Sequence, residues 1–190
     1  KILISILFLS FLFSQEIKDG PYKSYDWNGQ LSIEGTYKDG KQVGLWKYYY
    51  ENGQLHYEVT IKDEKWDGTL KSYYRNGQLE FERTYNNGSI ISKKEFRYYS
   101  NGQLWSEKNF NGSYIKHGLQ ESYHDNGQLW MKRTYKNGKL DGPSKVYYDN
   151  GQLKEEQMWR DGKPLGVFNG NNKKEYDYDD TFYDTTLRDG

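Results

Sequence analysis

Residues 44–61 read Gly-Leu-Trp-Lys-Tyr-Tyr-Tyr-Glu-Asn-Gly-Gln-Leu-His-Tyr-Glu-Val-Thr-Ile. Two runs rich in aromatic and β-branched side chains flank Asn52-Gly53, the strongest short-range hairpin signal. Asparagine and glycine both tolerate positive φ, which a two-residue type I′ turn demands at both central positions. That turn sets Glu51 opposite Gln54, Tyr50 opposite Leu55 and Lys47 opposite Glu58. A three-residue loop with a bulge sets Tyr49 opposite Leu55 instead, and is the second register.

The tetrapeptide Asn-Gly-Gln-Leu recurs six times, starting at Asn28, Asn52, Asn76, Asn101, Asn126 and Asn150. A fixed period of this length marks a repeat architecture in which each unit contacts chiefly its neighbours. The charge pair gives an internal check on register. Its counterparts are Lys23 with Glu34, Lys71 with Glu82 and Lys145 with Glu156; the fifth copy swaps the signs, with Glu121 facing Lys132. Opposite charges across a strand pair are favourable, and a matched swap argues that these positions meet. The fourth copy has Phe96 facing Glu107.

Two faces follow. One carries Leu31, Leu55, Leu79, Leu104, Leu129 and Leu153, with Tyr50, Tyr74, Tyr99 and Tyr148 opposite and Asp26 and His124 as exceptions. It gains Tyr37, Ile61, Tyr85, Phe110, Tyr135 and Trp159, most of them opposite a glycine. The other face carries the charge pairs and one tyrosine per copy: Tyr25, Tyr49, Tyr73, Tyr98, Tyr123 and Tyr147. On this face His56 is expected across from Tyr49, Trp105 from Tyr98 and Trp130 from Tyr123. A second turn, Lys38-Asp39-Gly40-Lys41, joins the hairpins and is repeated at Asn87-Gly88, Asn111-Gly112, Asn137-Gly138 and Asp161-Gly162. The connections at Asp63-Glu64 and Ile90-Ile91-Ser92-Lys93 depart from it and should be the least regular. The fold class is all-β: an elongated, twisted, single-layer antiparallel meander of six hairpins.

The units at 44–55 and 141–153 resemble the bacterial variant of the MORN repeat, and the resemblance runs from Asp19 to Gly166. It implies an elongated sheet of β-hairpins. Bacterial chains of this kind are often labelled antitoxins, and related eukaryotic repeats are linked to scaffolding and membrane association. Glucan- and choline-binding repeats are also hairpin arrays with aromatic signatures, but lead with Gly-Trp.

The chain has 190 residues, 27 basic and 27 acidic, with no cysteine, 34% hydrophobic and 18% aromatic. Low aliphatic content argues against a thick two-layer core, and high aromatic content against disorder. The two signs are interspersed along the chain, without the basic stripe of a nucleic-acid binder. Lys1, the apolar run Ile2–Phe13 and the switch to Ser14-Gln15-Glu16 describe a signal-peptide helix over residues 1–14. The run falls short of the roughly 20 residues of a membrane span. Residues 15–168 form the repeat domain; 169–174 read as a polar linker and Tyr176–Asp184 as an acidic, tyrosine-rich, mobile tail within 169–190.

Catalysis needs converging groups. His56, His117 and His124 lack metal-ligand spacing, no serine sits in a nucleophile elbow, and no phosphate loop is present. Asp177, Asp179, Asp180 and Asp184 lack the glycine and closing glutamate of a calcium loop. No cofactor or metal is expected, and no enzymatic activity. The expected function is an exported protein-interaction scaffold, with a glycan-binding module and a toxin-sequestering protein as alternatives. Its binding surface is the column Tyr49, Tyr73, Tyr98, Tyr123 and Tyr147 with His56, Trp105 and Trp130. A protein partner comes first, then a glycan; no nucleic acid and no membrane span are expected.

Overall fold

The computed structural model describes residues 18–169 and 172–174, so the stretch expected to be a signal-peptide helix (1–14) and the segment from Glu175 onward lie outside the described residues. Hairpin follows hairpin: β1 (Gly20–Tyr25) with β2 (Leu31–Lys38), β3 (Lys41–Tyr49) with β4 (Leu55–Lys62). After the short β5 (Lys65–Trp66) come β6 (Gly68–Tyr73) with β7 (Leu79–Asn86), and β8 (Ser89–Tyr98) with β9 (Leu104–Asn111). Then β10 (Lys116–Tyr123) pairs with β11 (Leu129–Lys136), and β12 (Lys139–Tyr147) with β13 (Leu153–Arg160). Two further strands, β14 (Lys163–Asn169) and β15 (Asn172–Lys174), close the series. All lie antiparallel in one open sheet in chain order, with β5 beside β4 off the main path. Strand pairing thus runs to Lys174, into the stretch read as a linker.

The Asn-Gly turns adopt the second of the two conformations considered for them, the three-residue loop, not the type I′ turn. The type I′ geometry belongs to the connecting turns, where Asp39 and Gly40 have φ of 52° and 70°. The Asn-Gly turns are three-residue loops in which only the glycine is left-handed, Gly53 at φ 81°. Gly53 N–H donates to Tyr50 O and Tyr50 N–H to Gln54 O, each at 2.8 Å. Asn52 Oδ1 meanwhile accepts from Gln54 N–H, which holds the asparagine out of the left-handed region. Tyr50 therefore faces Gln54, and Tyr49 rather than Tyr50 pairs with Leu55.

The charge register survives. His56 is an extra residue, so Tyr48 pairs with Tyr57 and Lys47 with Glu58 beyond it. Every hairpin repeats this bulge one step from its loop. The two registers weighed for the hairpin thus hold in succession.

The irregular connections differ in kind. Asp63 and Glu64 make the type I′ turn without glycine, at φ 50° and 59°. The strand then breaks at Asp67, whose N–H returns to Thr60 O. At β7–β8 the missing glycine leaves one unbroken strand, Ser89–Tyr98. The Asn111-Gly112 connection departs more: it is a three-residue loop closed by Tyr114 at φ 59°.

The core is lopsided. Trp46, Val59, Ile61, Leu70 and Tyr85 are buried together in the first three hairpins. Trp46 is 1% exposed, its indole edge-on to Tyr37 and tilted over Tyr22. Gly20 pairs with Tyr37, Gly68 with Tyr85, Gly118 with Tyr135 and Gly142 with Trp159, while Gly44 faces the aliphatic Ile61, in line with the expected glycine pairing.

Candidate functional site

The repeated residues fasten one hairpin to the next. Asn52 Nδ2 donates to Arg75 O, Asn101 to Asp125 O and Asn126 to Asp149 O. The phenols of Tyr50, Tyr74 and Tyr99 donate to the carbonyls of Tyr73, Phe96 and Tyr123 in the following hairpin. His124, an apparent exception, does the same work: its Nε2 lies 3.1 Å from Tyr147 O. Gln78 Nε2 donates to Gly102 O, and Gln30, Gln54, Gln103 and Gln128 crowd the glycine of the next loop. Asn-Gly-Gln is loop-stacking chemistry, and specificity must reside in residues that vary between copies.

The charge ladder runs along one face. Lys71 lies 3.9 Å from Glu82, Lys132 3.2 Å from Glu121 and Lys145 3.1 Å from Glu156. Lys47 leans instead to Glu34 of the preceding hairpin, at 3.6 Å. In the fourth hairpin Lys94, two residues before Phe96, supplies the cation for Glu107 at 2.9 Å. The sign swap in the fifth hairpin sets Glu107 beside Glu121, and each carboxylate has its own cation, Lys94 for Glu107 and Lys132 for Glu121.

The candidate tyrosines stand among these carboxylates. Tyr49 donates to Glu34 (2.6 Å), Tyr73 to Glu58 (3.3 Å) and Tyr123 to Glu121 (3.1 Å). Tyr98 meets Tyr74 edge-on. Tyr147 is half-buried and offers its carbonyl to His124. Burial first, and then Glu34, pushes the Tyr49 phenol up to about 12; burial and Glu121 do the same for Tyr123. The Tyr49 hydrogen bond, with Lys47 and Lys23, holds the Glu34 carboxyl below its usual value against the opposing effect of burial. A depressed carboxylate stabilises the fold above its unfolded pKa of about 4.3 and loses that contribution as pH falls through the folded value. Tyr49→Phe is therefore expected to cost about 1 kcal/mol at neutral pH, with the difference closing in acid. Urea melts of both proteins across that range measure it; a cost unchanged in acid would refute the Glu34 link.

The three larger rings fall elsewhere than expected. His56 stacks on Tyr50 at 4.1 Å, Trp105 packs against Tyr99 and Trp130 against His124, both at 6.2 Å. Each is the bulged residue, so its ring turns towards the loop position rather than the tyrosine column. Burial lowers the His56 pKa. Trp105 and Trp130 remain 42% and 40% exposed. Beside Trp105 lies a shallow depression of about 300 Å³, lined by Tyr74, Arg97, Tyr98 and Tyr99 with Asn76 and Gln78. It brings together candidates Tyr98 and Trp105, with Trp130 one hairpin on; Tyr49, Tyr73, Tyr123 and Tyr147 are not part of it.

Sequence reasoning missed how the other face is charged. One cross-strand row reads Ile33, Tyr48, Tyr57, Ser72, Phe81, Glu95, Lys108, Gln120, Arg133, Ser144, Gln157. It changes from apolar to polar midway along the sheet. Following alternation through the bulges would have exposed that change. Among the described residues no group of histidines and carboxylates could hold a metal, and no helix is long and apolar enough to cross a membrane.

Tandem hairpins laced at their loops define a β-repeat protein whose surface varies copy by copy. The chain belongs to the MORN repeat variant family, which matches residues 18–39, 42–63, 66–87, 92–111, 116–137 and 140–161. No curated protein is significantly similar. Among solved structures it is similar to a chain of the crystal structure of GtfA/B complex bound to UDP and GlcNAc, at 12% identity and a TM-score of 0.19. That likeness covers 80% of this chain but only 24% of the other, and bears on neither activity nor ligand.

Proposed function

We propose that this repeat protein is a non-enzymatic, exported interaction scaffold that holds a partner protein along its loop edge, centred on Trp105 and Trp130. The observation that carries the reading is the pair of half-exposed indoles at equivalent positions of adjacent hairpins. Two strand spacings put them roughly 10 Å apart. Tryptophan and tyrosine provide much contact area at small entropic cost, and they anchor interfaces well. Export rests on the composition of residues 1–14.

Glycan binding is a second reading, favoured by the exposed Trp105 ring with Arg97 lining the same depression, since rings stack on sugar faces while a guanidinium meets hydroxyls. Affinity capture from envelope extract with the intact chain and with W105A/W130A separates the readings. Loss of a specific protein from the variant, with unchanged circular dichroism, supports the scaffold. Retention on purified peptidoglycan that depends on the same rings transfers the site to sugars. Undiminished capture by the variant rejects this edge.

A further inference from the structure

The face opposite the charge ladder is cationic in the second half of the sheet. From β7 to β13 it presents Arg83, Lys93, Arg97, Lys108 and Arg133 against Glu95 and Glu155, with Glu80 reaching Ser72 Oγ at its start. Lys93 is already paired with Glu95. Among the described residues no carboxylate lies within ion-pair distance of Arg83, Arg97, Lys108 or Arg133. Arg133 meets Ser144 Oγ, and Arg83 lies over the Phe81 ring. Between Lys108 and Arg133 sits Gln120, 9% exposed, whose Oε1 has no partner among the described residues; nor has Ser106 Oγ, 2% exposed, in the neighbouring row. Among the described residues the strands that pack substantially on one another are neighbours within the sheet.

The row leads to the end of the described chain. Arg133 pairs with Ser144, Ser144 with Gln157, Gln157 with Val167, and Val167 with Lys174. The backbone thus leaves the sheet in register with Lys108, Gln120 and Arg133. Beyond Lys174 the sequence carries Glu175, Asp177, Asp179, Asp180, Asp184 and Asp189 against a single Arg188.

We propose that the cationic row is a docking groove for the chain's own acidic segment, residues 175–190, lying across the strands. Reach agrees with charge. Arg133 on β11 is four strand spacings from β15, about 19 Å, and Lys108 on β9 is six, about 29 Å. Extended chain gains at most about 3.3 Å per residue, so Asp180 reaches about 20 Å beyond Lys174 and Asp184 about 33 Å. Asp179 and Asp180 then face Arg133, Asp184 faces Lys108, and a backbone N–H between them supplies the missing donor to Gln120 Oε1. Tethering maintains a local concentration in the millimolar range, enough to hold a weak contact.

Zero-length carbodiimide cross-linking of the full chain, read by mass spectrometry, tests this. The expected product joins Lys108 or Lys93 to Asp179, Asp180 or Asp184 within one molecule. It should disappear in D177N/D179N/D180N/D184N, which leaves the repeats untouched. Links from these aspartates only to Lys132 or Lys145 on the opposite face, or only between molecules, would overturn it. A labelled peptide of residues 175–190 should bind the four-asparagine variant at least tenfold tighter than the unaltered chain, and lose that affinity in K108Q/R133Q. Equal affinity for variant and unaltered chain would show a groove open to acidic partners in trans and overturn the tail as occupant.

Discussion

Trp46→Ala is expected to lower the unfolding free energy by about 3–5 kcal/mol, the range for deleting a large buried aromatic. The indole is 1% exposed although the described strands form a single sheet. It lies between the bare backbone of Gly35 and the rings of Tyr22 and Tyr37, with Val59 across the strand pair. Trp46 Nε1 has no hydrogen-bond partner among the described residues, so the side chain contributes through packing rather than polarity. In a one-dimensional array the damage should stay local. Amide exchange should accelerate over β2–β4 and remain near its original rate over β10–β13. A loss spread evenly over all hairpins, or a cost below about 1 kcal/mol, contradicts the lopsided core.

The division of labour between the two ends was only half legible in the sequence. The hairpin period, the Lys–Glu register and the glycine–ring pairs could be read because they repeat, and repetition averages out local ambiguity. The turn types could not. Asn-Gly satisfies a type I′ turn and also the last two positions of a three-residue loop. What decides between them is the Asn side chain's bond to Gln54 N–H and the compensating bulge at His56. That bulge redirected His56, Trp105 and Trp130 towards the loop edge. His124 looked like a defect in a tyrosine column until its Nε2 was seen to do a phenol's work on Tyr147 O. The cationic row was hidden because its members come from four separate strands, β7, β8, β9 and β11, and along each strand they alternate with residues of the opposite face. Net charge sums over faces; a ligand meets only one.

Gly35→Ala tests the packing account with the smallest possible addition. A β-carbon there would lie 2.3 Å from Trp46 Cδ2 and 2.4 Å from Cε2, well inside van der Waals contact. Gly35 does not have the positive φ of the turn glycines, so backbone strain does not enter. Overpacking of this kind is expected to cost about 1–3 kcal/mol, because the indole is wedged between two tyrosines and cannot swing aside. The double mutant isolates the cause. In the Trp46→Ala background the same substitution should cost nothing, or stabilise by a few tenths of a kcal/mol, since the obstructing ring is gone and alanine restricts the unfolded chain. Gly166→Ala serves as a control: nothing lies within 4 Å of its β-carbon position. If Gly35→Ala costs the same with and without the indole, the glycine is required for another reason and the ring-on-backbone contact does not organise the core.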